Sequence, residues 1–95
     1  VAVTTVTRPK VTPGPWRADG GVVELRHGDD MSRMIVPGRS LNEGEANAHL
    51  IAAAPEMYEA LRVLVEYFEE GKHSVLDYES FIARARTAIA KAEGR

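Results

Sequence analysis

The sequence predicts an α+β fold, a small antiparallel three-stranded meander followed by helices. Three observations predict it. Short β-rich runs separated by Gly and Asp turns fill the first forty residues. Apolar residues at helical spacing fill the rest. Pro55 interrupts that helical half, and Gly71 ends its middle segment.

Residues 1–12 alternate Val and Thr and then meet Pro9, which fits a flexible arm or an edge strand. A single α+β domain is expected over residues 13–95. Pro13-Gly14-Pro15 makes a stiff entry, because each ring fixes φ and removes a donor. Trp16, the only Trp, follows as the main apolar anchor of the sheet side. Strands are expected at residues 16–18, 22–25 and 31–36. Asp19-Gly20-Gly21 and His27-Gly28-Asp29-Asp30 supply the turns. Period-two alternation puts Val23 and Leu25 on one face, and Met34 with Val36 on one face.

Asn42 is expected to cap the first helix, with Glu45 completing a capping box. Asn47, Leu50, Ile51 and Ala54 then share a face. Pro55 turns Ala54 away from helical angles and opens a second helix or a kink. The second helix carries a stripe of Met57, Leu61, Leu64, Val65 and Phe68, with Gly71 after its last turn. A turn at residues 72–74 leads to a third helix capped by Ser74 or Asp77. Its stripe is Phe81, Ile82, Ala85, Ile89 and Ala92, and the short connection makes the last two helices an antiparallel hairpin.

A chain of 95 residues has a thin core, which favours a homo-oligomer. It has no Cys, so neither disulfides nor thiolate chemistry enter. No apolar run reaches a membrane span and no signal peptide opens the chain, so a cytoplasmic location without membrane contact is expected. The net charge of −2 argues against a general nucleic-acid binder. Its halves differ, residues 1–40 carrying +2 and residues 41–95 carrying −4.

No catalytic set is spelled out, and no enzyme and no cofactor are expected. His27, His49 and His73 are scattered. Glu45 and His49 stand four apart, a spacing usable by a metal, yet no third ligand accompanies them and a surface pair is expected. Asp29-Asp30 reads as turn chemistry. No Gly-x-Ser-x-Gly elbow, dinucleotide fingerprint or phosphate loop occurs.

Binding is the remaining chemistry. Arg33, Arg39 and Asn42 with the following helix start could hold an anion, although Glu43 and Glu45 oppose it. Asn47 places an amide on an apolar face, where it either satisfies backbone or meets a ligand. Tyr58 and Tyr67 suit an exposed protein-binding surface. Arg84, Arg86, Lys91 and Arg95 form a basic stretch that could meet nucleic acid, although Glu79 and Glu93 interrupt it, and pairing with Glu59, Glu66, Glu69 or Glu70 of the preceding helix is an equally strong expectation.

The entry Thr12 to Trp16 (TPGPW), the helix Asn47 to Glu56 (NAHLIAAAPE) and the close ARTAIAKAEG resemble short, uncharacterised phage and prophage proteins. The resemblance implies an α+β accessory protein acting in the host cytoplasm. That group has no agreed activity, so it assigns no functional residues. His49 occupies a position often held by Arg in those sequences. The expected function is stoichiometric binding of a host protein or a small nucleotide signal, with counter-defence as the expected role. The alternatives are a nucleic-acid-associated regulator and a phage structural or assembly component.

Overall fold

The computed structural model describes residues 11–71 and 75–95. Strands β1 (Trp16–Asp19), β2 (Val22–His27) and β3 (Asp30–Ile35) precede helices α1 (Leu41–Ala52), α2 (Ala54–Glu70) and α3 (Val75–Ala92). The strands form one antiparallel sheet in the order β1-β2-β3. The fold is therefore the α+β arrangement that the alternating runs and helical stripes predict. The expected arm lies almost entirely outside the described residues, as do the turn at 72–74, His73 and the Ser74 cap. Asp77, the other expected cap, falls within the bounds of α3.

Both hairpins turn on two residues. Gly20 and Gly28 take φ of +61° and +62°, a backbone that other residues adopt at a cost. The register sets Ala18, Val23 and Met34 abreast, and Trp16, Leu25 and Ser32 abreast. Val23, Val36, Ala48 and Ala52 make the buried core, with Trp16, Ala18, Leu25 and Ile51 packed around it. Val23 and Leu25 share the inner face as expected. The expected Met34–Val36 pair separates in environment, since Val36 is 6% exposed and Met34 41%. Helix α1 lies across β1 and β2, leaving edge strand β3 exposed. Val36 escapes that edge because it follows the strand and its N–H donates to the Gly21 carbonyl at 2.8 Å.

Helix α1 begins two residues earlier than expected. Ser40, not Asn42, is its cap, and Ser40 Oγ accepts from the Glu43 N–H at 3.2 Å. The Ser40-x-x-Glu43 spacing is itself a capping-box pattern. The carboxylate reaches back one residue further, to the Arg39 N–H at 3.0 Å. The inner face of α1 is also rotated from the expected one. Gly44, Ala48 and Ala52 are buried, while Leu50 is 53% exposed. The small residues win because the helix lies close to the backbone beneath it. A Cβ at Gly44 would come within 3.3 Å of the Val36 carbonyl oxygen, and one at Gly38 within 2.3 Å of the Gly44 nitrogen.

The helical half breaks at Ala53 (φ −84°, ψ −2°), and Ala54 opens α2 in helical geometry. Pro55 is the second residue of α2, where its missing N–H coincides with a helix-start orphan. Gly71 closes α2 with φ +68°. Helices α2 and α3 form the expected antiparallel hairpin, but on another face. Tyr67, expected on the surface, is buried and meets Phe81 edge-on at 4.5 Å between centroids. Of the expected stripe, Leu61, Val65 and Phe68 are more than half exposed, Leu64 is 37% exposed and Met57 is half-buried. On α3, Phe81, Ile82, Ala85 and Ala92 are half-buried as expected, Ala88 is buried and Ile89 is exposed.

Candidate binding cleft

Two proline-bearing stretches, remote in sequence, meet at one end of α2. The first is residues 12–16. Trp16 folds back on it, its Nε1–H donating to the Thr12 carbonyl at 3.1 Å. The second is residues 53–59, the start of α2. Gly14 crosses Pro55 so closely that a Cβ on it would sit 2.8 Å from Pro55 Cβ. Only glycine makes this crossing without displacement.

The junction borders an open cleft of about 440 Å³. Pro13, Trp16, Ala54, Pro55, Tyr58 and Glu59 are among its lining residues. The walls are apolar and aromatic. Tyr58, 48% exposed, is one of the aromatic lining residues. Glu59 is the charged group in the wall, and it pairs with Arg62 at 2.9 Å. An aromatic wall with few polar groups suits a peptide or side-chain anchor better than a free anion.

The expected site residues fall into separate places. Arg33 lies on the outer face of the sheet, 3.5 Å from Glu24. Arg39 lies before α1, its Nε donating to both Glu43 oxygens at 3.1 Å. Those hydrogen bonds hold the Glu43 carboxyl below its ordinary range. Asn42 is exposed in the first turn of α1. Asn47 Nδ2 donates to the Pro37 carbonyl at 2.9 Å, joining α1 to the chain that leaves β3. His49 forms no ion pair with Glu45 among the described residues. Its ring packs at the chain end, where a Cβ on Gly94 would meet Cδ2 at 2.9 Å. Tyr67 is buried in the hairpin, and of the set only Tyr58 lines the cleft.

The expected pairing of the basic stretch is also redistributed. Glu59 and Glu66 both pair with Arg62 of their own helix, because three- and four-residue spacings place them beside it. Lys91 of α3 pairs with Glu56 of α2 at 2.7 Å. Arg95 pairs with Glu93.

His27, Asp30 and Ser32 border a second hollow of about 400 Å³. His27 and Asp30 are partners in the β2–β3 ladder, and no side-chain hydrogen bond is seen among these three described residues. Among the described residues, no group of three His, Asp or Glu side chains could hold a metal ion. None of the described helices is long and apolar enough to cross a membrane.

Sequence reasoning assigned Trp16 to packing and Pro55 to helix punctuation, and both also border the cleft. The available signal was their company. Each stretch sets rigid proline beside an aromatic side chain, Trp16 in one and Tyr58 in the other.

The family model described as Salmonella phage P22 protein Y8K6 matches residues 5–95, and the chain belongs to that family. No curated protein and no solved structure matches it.

Proposed function

We propose that this phage protein acts by stoichiometric binding, without turnover, and that the cleft between Trp16 and Tyr58 receives a protein partner. The supporting observation is the convergence of Trp16, Tyr58 and two prolines around an open apolar space. Partly exposed aromatic side chains on a rigid frame are the usual anchors of protein recognition. A nucleotide signal has less support. The arginines it would need are engaged, Arg39 with Glu43 and Arg33 beside Glu24. The start of α1 already carries Ser40 as cap and Glu43 in its positive field.

Membership of a phage family makes a host protein the proposed target, and interference with host defence the proposed role. The test is capture from host lysate with the full chain and with Tyr58→Arg. Tyr58 is 48% exposed, so its replacement should leave the fold intact. Specific capture of one host protein by the unmodified chain, lost with Tyr58→Arg at an unchanged melting temperature, supports the reading. Equal capture by both overturns the cleft assignment. A thermal shift with a nucleotide would instead favour the nucleotide branch.

A further inference from the structure

We infer that the α2–α3 hairpin is the seam of a homodimer, formed by packing against the same hairpin of a second copy. This does not rest on the cleft reading. Residues on an α-helix advance by about 100° each, and a helix with one neighbour needs an apolar stripe of roughly that width. On α2 the half-buried Val63 and buried Tyr67 face α3. The apolar arc does not stop there. It runs on through Leu64, Phe68, Leu61 and Val65, to a total of about 200° by the same spacing. These four side chains are 37%, 61%, 63% and 52% exposed.

Helix α3 repeats the pattern. Ala88 and Phe81 face inward, and the next arc presents Tyr78 and Ile89, which are 58% and 52% exposed. Both helices are right-handed and they run in opposite directions. The arc that follows the buried stripe on each therefore falls on the same side of the hairpin. Leu61, Leu64, Val65, Phe68, Tyr78 and Ile89 make one two-helix face, and none carries a charge. Arg62, Glu66 and Glu69 stand on the far flank of α2, where they would rim the contact.

The area decides the occupant. Six large, half-exposed side chains at roughly 100 Å² each give on the order of 600 Å² per protomer. Two copies would bury about 1,200 Å², the lower bound of a stable interface. Hairpin on hairpin makes a four-helix arrangement about a twofold axis, in which the face is its own complement. The chain has a need for it too, because Val23 is its one large, fully buried side chain among the described residues.

Sedimentation of the full chain at micromolar concentration tests this. The expected species is twice the 10.4 kDa chain mass. Leu61→Glu with Val65→Glu should weaken the dimer at least about a hundredfold, since charges would be buried without partners. Leu61→Gln with Val65→Gln should also weaken it, and circular dichroism reports whether each variant keeps its helices. Ile35→Glu, on the 83% exposed edge-strand position, should leave the dimer unchanged. A monomeric unmodified chain overturns the inference. A dimer that survives both double substitutions in folded protein also overturns it.

Discussion

Gly14 rests on Pro55 with no room for a side chain between them. A Cβ on Gly14 would stand 2.8 Å from Pro55 Cβ and 3.2 Å from Cγ. The contact fixes the chain entry against the start of α2, and so sets the geometry of the cleft between Trp16 and Tyr58. Gly14→Ala forces the two segments apart and should cost about 1–3 kcal/mol. Chemical denaturation measures the loss, and Trp16, the only Trp, provides the fluorescence signal. Unchanged stability would mean that the entry moves freely on α2.

Asn47 joins the helical half to the sheet half through its amide, which donates to the Pro37 carbonyl. Asn47→Leu removes the donor and leaves that carbonyl without it. The expected loss is about 1 kcal/mol, the usual net value of a hydrogen bond that water can replace, because this one is exposed. Thermal melts read it. A melting temperature equal to that of the unmodified chain would separate Asn47 from the scaffold.

Tyr67 is the largest buried side chain of the hairpin and meets both Phe68 and Phe81 edge-on. Tyr67→Ala should destabilise by about 3 kcal/mol, through lost apolar burial and the cavity left behind. Tyr58→Ala, at a half-exposed position, should change stability by less than about 1 kcal/mol. Equal effects at the two positions would contradict their different burial.

Much of the fold was legible because its punctuation is local. Gly20, Gly28 and Gly71 mark chain reversals through backbone angles that any reader can anticipate. Pro55 marks the helix break to within two residues of the Ala53 joint. The helix faces were not legible, for a physical reason. Hydrophobicity favours Leu50 over Ala48 for the interior, but close approach of α1 to the sheet backbone favours Ala48. On α2 the most apolar stripe is not the one facing α3, because a 200° apolar arc offers two choices and periodicity cannot select between them. The cleft needed tertiary information. Nothing in the spacing of Gly14 and Pro55 says that they touch.

The helix start offers a prediction that discriminates between two neighbouring residues. Ser40 Oγ accepts from the Glu43 N–H, whereas Asn42 lies within the first turn. Ser40→Ala should cost about 1 kcal/mol, the usual value of a lost cap. Asn42→Ala should be neutral or slightly stabilising, since Ala is the better helix former. Paired thermal melts decide it, and a larger loss from Asn42→Ala would restore the later helix start.

The Arg39–Glu43 contact gives a pH dependence whose sign follows from the geometry. The side-chain hydrogen bonds from Arg39, then the backbone one, lower the Glu43 carboxyl below the ordinary 4.5. A group with a depressed folded-state pKa contributes stability that is fully present above its unfolded value. That contribution disappears as pH falls through the lowered folded value. Glu43→Gln should therefore melt lower than the unmodified chain at neutral pH, and the two curves should converge as pH drops below about 4.5. The gap should also narrow with added salt, because Arg39 is 91% exposed and the charges are open to screening. A gap that persists unchanged under acid would show that the Glu43 contribution is not the charge held by Arg39.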